Sequence, residues 1–499
     1  MFNKKKVFAF AVMYLALLVL TFAAVTGPRQ LAGFLAFNDD HYTCKNCNVI
    51  LISIDTLRAD HLGVYGYYRN TSPNIDEFAK DAIVFENAFA QAPWTLSSHA
   101  SMLSGVYPSK TGVWDYLLYP VDNRSGIKPL SGKLTMLAEV FNQSNYTTIA
   151  LTDDGYVSSR YGFGQGFNEY HEINTLNESN YYLLEQNMTR LAQKQPFFLF
   201  LHTYNVHVPY DPPPPYNALF YKNYSGHANG SEAYIEQLIL TNAKEIPDED
   251  RNYLVSLYDG EVAYTDYEIG KFLKLVSSFN LTDNTIIIIV SDHGESFFEN
   301  FDGHNYTQYL ETTSVRLMHR VPFESVMKVP IIMRLPKKPF SERIDKNVGL
   351  LDIFPTILQI NGLGSVQVNQ SLDGINLFNK GKNGAQLYYE DDEFSGKVSK
   401  AMYITIKKGR YKYVRKTDGK ELLFELANDP NETSDLSELN ADEGIINSFR
   451  KDYDVYITDV RGGVPLPYAW QKTEAPSKAG YVEPNDRVKQ KLKSLGYIE

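Results

Sequence analysis

The sequence predicts an α/β protein: a large, mostly parallel central sheet between helices, with a small antiparallel sheet towards the C-terminus. Three observations predict it. Asn48–Ile54, Pro196–His202 and Thr285–Val290 are short runs, apolar almost throughout, as strands covered on both faces must be. A helix-period stretch, Leu254–Leu275 with Val262, Ile269 and Leu273, lies between the second and third. Residues 386–426 then change to short alternating runs, such as Met402–Ile406 and Tyr411–Val414, the pattern of an antiparallel sheet.

The 499 residues are 43% hydrophobic and 13% aromatic, enough for one large core with a smaller unit attached. The expected divisions are an anchor or signal over 1–28, a linker over 29–47, a main domain over 48–384, a subdomain over 385–445 and an extension over 446–499. A net charge of −11 argues against a nucleic-acid partner. Acidic groups spread along the chain can instead hold divalent cations.

Lys4, Lys5 and Lys6 precede an uncharged apolar run from Val7 to Val25. At about 1.5 Å per residue the run matches the hydrocarbon core, and it exceeds a signal-peptide core. The lysines keep the N-terminus inside, so the rest of the chain is expected outside the cytoplasm, anchored to the membrane. A cleaved signal, giving a secreted protein, is the alternative. Twelve Asn-x-Ser/Thr sequons, at Asn70, Asn123, Asn142, Asn145, Asn177, Asn187, Asn223, Asn229, Asn280, Asn305, Asn369 and Asn431, read as candidate glycan sites on an exported surface. The two cysteines, Cys44 and Cys47, can close a local disulfide there.

Strand ends are where open α/β sheets build their sites. Asn48–Ile54 ends on Asp55, and Thr285–Val290 runs into Ser291-Asp292-His293-Gly294-Glu295. Two strand-end carboxylates and an imidazole make a metal-binding set. Read singly, Asp55 could cap a helix and Asp292-His293 could be a surface pair. Between them lies Ala92–Gly105, Ala-Pro-Trp-Thr-Leu-Ser-Ser-His-Ala-Ser-Met-Leu-Ser-Gly. Pro93 opens it as a turn, Ser97 or Ser98 caps a short helix to Leu103, and Gly105 ends it. Thr95 then stands just before a helix N-terminus, where backbone N–H groups favour an anion. The bland reading of the same stretch is a Ser/Thr-rich loop. His202, ending an apolar strand, is expected to be packed. His207, on the following loop, is expected to face a ligand, and Gly303-His304-Asn305 lies on a later loop.

Together these residues resemble the sulfatase family of the alkaline phosphatase superfamily. Asn48–Gly63 looks like its opening strand and metal-binding turn. Thr95–Gly105 matches the spacing of its Cys/Ser-x-Pro-Ser-Arg…Leu-Thr-Gly signature, ending here in Leu103-Ser104-Gly105. Ser291–Gly294 looks like its second metal turn. Leu351–Thr356, Leu422–Pro430 and the Leu492-Lys-Ser-Leu-Gly-Tyr-Ile ending resemble later landmarks.

The departures bear on mechanism. Thr95 stands where the family oxidises a Cys or Ser to formylglycine, and a secondary alcohol would give a ketone. His99 stands in place of Arg, Ser97 in place of Pro, and Thr56 in place of a second metal-binding Asp. Asp153 lies near the position of a sulfate-binding Lys. The resemblance thus implies a threonine-nucleophile variant with Asp55, Thr95, Asp292 and His293 around a divalent metal. An imidazole ligand favours Mn, Zn or Fe over Ca. His207 and His304 match positions that bind oxygens or protonate the leaving group, and His99 supports Thr95. The expected substrate is a sulfated or phosphorylated small molecule, glycan or lipid head group. Phosphoester or phosphodiester hydrolysis or transfer is preferred on mechanism. A true sulfatase acting without formylglycine and a non-catalytic surface protein on this scaffold are the alternatives.

Overall fold

The computed structural model describes residues 42–113, 129–240, 246–297, 317–319, 322–336, 341–379, 387–395, 398–416, 419–437, 443–460 and 485–494. The apolar run from Val7 to Val25 and His304 lie outside the described residues. Among those described, no helix is long and apolar enough to cross a membrane.

The strands are β1 (Asn48–Ile54), β2 (Ile83–Phe89), β3 (Thr147–Thr152), β4 (Glu169–Glu172), β5 (Phe197–Thr203), β6 (Thr285–Val290), the short pair β7 (Ser296–Phe297) and β8 (Leu317–Met318), β9 (Lys328–Val329), β10 (Ile331–Arg334) and β11 (Glu342–Gly349). All but β7 and β8 form one sheet in the order β11-β2-β10-β6-β1-β5-β3-β4, with β9 beside β2. β1 pairs in parallel with β5 and β6 at the centre. β10 runs antiparallel to both β6 and β2. β9 and β10 are separated by Pro330, which has no N–H to donate to a ladder.

Alternation along each strand sorts the core. Val49 and Leu51 of β1, Ile286, Ile288 and Val290 of β6 and Phe198 and Phe200 of β5 face one layer. Ile50, Ile52, Ile54, Ile287, Ile289, Leu199 and Leu201 face the other. The first layer packs on the helices Thr95–Ser104 and Ile353–Ile360, the second on the long helix Asp248–Ser278. Both faces are covered, which is why the central strands are apolar without interruption.

A second, antiparallel sheet follows: β12 (Leu387–Ser395), β13 (Val398–Lys408), β14 (Tyr411–Lys416) and β15 (Glu421–Glu425). Tyr389, Tyr403, Val414 and Phe424 join it to the first core layer. Cys44 and Cys47 are joined in a disulfide just ahead of β1. One sequon is corrected. Asn187 is buried in the helix Tyr181–Gln193, where its Nδ2 donates to the Leu183 carbonyl (2.8 Å) and its Oδ1 accepts from Arg190 (2.5 Å). A glycan on Nδ2 would have no room.

Candidate active site

Because β1, β5 and β6 are parallel, their C-terminal ends emerge on one edge of the sheet. Asp55 follows β1, Asp292 and His293 follow β6, and His202 sits near the end of β5, opposite Ser53. After Asp55 the chain turns through Thr56 at φ +56°, a left-handed conformation costly for a β-branched residue. Two bonds hold it. The Thr56 N–H donates to Asp292 Oδ1 (3.3 Å), and its carbonyl accepts from Tyr258 Oη (2.7 Å).

The helix carrying the candidate nucleophile begins at Thr95, ahead of both serines expected to cap it. Their hydroxyls bind elsewhere: Ser97 Oγ donates to the Val113 carbonyl (3.0 Å) and Ser98 Oγ to the Asp292 carbonyl (2.6 Å). Thr95 is therefore the first residue of the helix rather than the residue before it. Gly105 ends the helix at φ +70°, and a Cβ there would press on Phe354 at 3.1 Å. Every residue of the helix is buried.

Thr95 Oγ1 donates to Asp55 Oδ2 at 3.0 Å and lies 3.5 Å from His293 Nε2. Ligand atoms of Asp55, Asp292 and His293 lie within 4.8 Å of one another. His293 Nδ1 donates to the Gly294 carbonyl (3.0 Å), which leaves the Nε2 lone pair towards the carboxylates. Asp55 Oδ1 and Asp292 Oδ2 are buried with no hydrogen-bond partner among the described residues. Burial pushes both carboxyls far above the usual range, and for Asp292 the facing charge of Asp55 adds to it. Burial likewise holds His293 well below the usual imidazole value. Two buried acids and a neutral imidazole acceptor form a site short of positive charge, and a divalent cation fits it.

The remaining predicted residues sit around this centre. His99 Nδ1 donates to the Thr95 carbonyl (2.8 Å), and His99 Nε2 accepts from Ser53 Oγ (2.9 Å). His207 is buried, with Nδ1 donating to the Val208 carbonyl at 2.8 Å. It lines a cleft of about 330 Å³ together with Tyr204, Tyr264 and Lys491.

Sequence reasoning missed four residues. His202 was expected to be simply packed, but its Nε2 lies 3.6 Å from Asp55 Oδ2 and neither ring nitrogen has a hydrogen-bond partner among the described residues. Its signal was a polar residue closing an apolar strand. His319 brings its ring to 4.4 Å from that of His293 and 5.2 Å from that of His207. Glu295 lies 3.7 Å from His319, and burial lifts its carboxyl to about 7. Lys491 reaches Asp153 from the far end of the chain, at 3.1 Å. Neither His319 nor Lys491 belongs to a local pattern that could have revealed it.

Residues 47–363 match the family model described as Sulfatase. The chain belongs to the sulfatase family. This sulfatase-family ester hydrolase also matches, over residues 316–456, the model described as N-sulphoglucosamine sulphohydrolase, C-terminal. An arylsulfatase of Clostridium perfringens is 24% identical over 475 residues, covering 79% of this chain and 91% of that one. A solved 2-O GAG sulfatase shares the fold at a TM-score of 0.64 and 20% identity, over 85% of this chain and 95% of that one. So does the phosphonate monoester hydrolase of Agrobacterium radiobacter, at 0.60 and 20%, over 88% and 99%. The family is metal-dependent, and Asp55, Asp292 and His293 form a group able to hold an ion.

Proposed function

We propose that this enzyme cleaves anionic esters with Thr95 as its nucleophile, and that phosphate monoesters or diesters are its preferred substrates. One observation carries the reading: Thr95 Oγ1 stands at the head of a buried helix, 3.0 Å from Asp55 Oδ2 and 3.5 Å from His293 Nε2. Asp55, Asp292, His293 and Thr95 would hold the cation, with Mn, Zn or Fe suiting the imidazole better than Ca. Once bound, it would lower the hydroxyl's pKa and neutralise charge on the substrate's oxygens.

The chain's own residues do the rest. Asp55 Oδ2 accepts the hydroxyl's hydrogen bond and takes its proton as Oγ1 attacks phosphorus or sulfur in line. The Oγ1–P or Oγ1–S bond forms as the ester bond to the leaving alcohol breaks. Water, or an acceptor alcohol in a transfer reaction, then displaces Thr95. His99 fixes the Thr95 backbone through its carbonyl. Burial, reinforced by His319, holds His207 at about 3, so it is neutral near pH 7. An anionic ester beside it raises its proton affinity, which suits it to protonate the leaving oxygen.

A second reading, sulfate ester hydrolysis without formylglycine, is favoured by the relatives' names, arylsulfatase and 2-O GAG sulfatase. It extends the substrate class to sulfated glycans. Turnover of aryl sulfate, aryl phosphate and bis-aryl phosphate, with added Mn or Zn, separates the two readings. Full turnover by Thr95→Ala on the best substrate would overturn both. The expected location, anchored outside the cytoplasm by residues 1–28, is supported by the Cys44–Cys47 disulfide, since such bonds persist in oxidising compartments. The separate antiparallel sheet supports a subdomain over 385–445.

A further inference from the structure

The helix Asp486–Ser494 lies some four hundred residues after Thr95 in the chain, yet it packs beside the active site, on the turn Gly155–Val157. Arg487 and Lys491 are four apart and so share one face of it. Arg487 Nε lies 3.2 Å from Asp154 Oδ2, and Lys491 Nζ lies 3.1 Å from Asp153 Oδ2. Asp153 and Asp154 directly follow β3, at the same edge of the sheet as Asp55 and Asp292. Two consecutive acids therefore hold two cations of one helix face in a fixed place.

Lys491 points inward from that clamp. Its Nζ is 5.1 Å from the centre of the Tyr204 ring, and the Tyr204 N–H donates to Asp153 Oδ2 (3.4 Å). The same ring packs at 4.7 Å on His202 and at 5.7 Å on His207. The cleft of about 330 Å³ beside His207 has acidic walls in Asp153, Asp211 and Glu261, and among the described residues that line it Lys491 is the one lysine or arginine. Its side chain stays 25% exposed and lines the cleft, so the ammonium meets both Asp153 and the cleft. Its charge also reaches His207, where it opposes protonation.

We propose that Lys491 binds a charged oxygen of the substrate: Asp153 holds its ammonium at the cleft, and the terminal helix thereby completes the active site. The proposal rests on the reading of this chain as a hydrolase of anionic esters. It deepens that reading by naming the cation that receives the ester or a neighbouring anionic group.

The test compares wild type with Lys491→Met, Lys491→Arg and Lys493→Ala, the last an exposed lysine on the same helix. Calorimetric titration of the full chain with inorganic phosphate and with inorganic sulfate is the binding readout. KM and kcat on aryl phosphate and aryl sulfate are the kinetic one. Lys491→Met is expected to weaken anion binding and raise KM by about tenfold, with kcat changed less. Lys491→Arg is expected to recover most of the loss, and Lys493→Ala to match wild type. Methionine keeps the apolar stem, and Lys491→Arg keeps the test open should Lys491→Met not fold: arginine then has to retain affinity and its dependence on salt. Unchanged affinity and KM in Lys491→Met, or no anion binding by wild type, would overturn the proposal. Wild type that binds both anions and turns over neither ester would instead overturn the ester-hydrolase reading, and the binding comparison would still decide Lys491.

Discussion

Ser98 Oγ donates to the backbone carbonyl of Asp292 at 2.6 Å, with both residues buried. This bond ties the helix that begins with Thr95 to the turn that carries Asp292 and His293. Thr95 and the pair Asp292 and His293, nearly two hundred residues apart in the chain, thus share one rigid link. It also helps explain why a Ser/Thr-rich helix can be wholly buried: the Ser97 and Ser98 hydroxyls find backbone acceptors beyond the helix.

Replacing Ser98 with Ala should break that link while leaving the fold intact. The Asp292 carbonyl would lose a buried partner, at a cost of about 1–3 kcal/mol. A small displacement of Thr95 from Asp292 and His293 should lower kcat by about 10- to 100-fold with little change in KM. Urea unfolding and steady-state kinetics on the same preparation check both numbers. A variant with wild-type kcat would show that the helix is positioned by its apolar packing alone.

Thr95→Ser keeps a hydroxyl and should retain activity, whereas Thr95→Ala should lose on the order of 10³-fold or more in kcat. Rapid acid quench of the wild type in turnover should trap a phosphoryl or sulfuryl group on the peptide containing Thr95, seen by mass spectrometry. The same peptide from Thr95→Ala should carry none. Label on a different residue would move the nucleophile elsewhere.

Much of this was readable in the sequence, and the reason is locality. The strands β1, β5 and β6 announce themselves because a strand buried on both faces needs apolar residues at every position, and their ends point to Asp55 and Asp292 without further information. The start of the Thr95 helix was misplaced because Ser97 and Ser98 look like caps. Nothing local says that their hydroxyls are used by Val113 and Asp292 instead. His319 and Lys491 were invisible for the same reason. Their proximity to His293 and Asp153 is made by the fold, and neither stands in a patterned stretch. Thr56 departs from the family pattern, but its left-handed backbone emerges only from the bonds to Asp292 and Tyr258.

Removing metal should abolish turnover. The unpartnered oxygens of Asp55 and Asp292 are the reason, because without a cation the two buried carboxylates oppose each other. Dialysis against EDTA followed by titration with Mn, Zn or Ca should restore activity with Mn or Zn ahead of Ca, given the imidazole donor. Asp292→Asn should weaken metal affinity by more than the 10- to 100-fold, roughly, that loss of an outer hydrogen-bond partner costs a metal site. Full activity after exhaustive chelation would remove the metal from the mechanism.

Glu261 supplies a pH test away from the metal-binding residues. It is buried at the wall of the cleft, where its Oε1 accepts from the Asp211 N–H at 2.9 Å. Burial lifts its carboxyl from 4.5 to about 8, with the nearby charge of Asp211 adding to the rise. A folded-state value above the unfolded one means that this group favours folding in acid, below about 4.5. That contribution is lost progressively as pH rises through about 8. Glu261→Gln keeps the acceptor oxygen for Asp211 and removes the charge. The variant should match wild type near pH 4 and exceed it by about 2–4 kcal/mol near pH 9. Urea unfolding at the two pH values measures the difference. Equal stability of the two proteins near pH 9 would mean that Glu261 ionises without penalty, with water or a cation reaching it through the cleft.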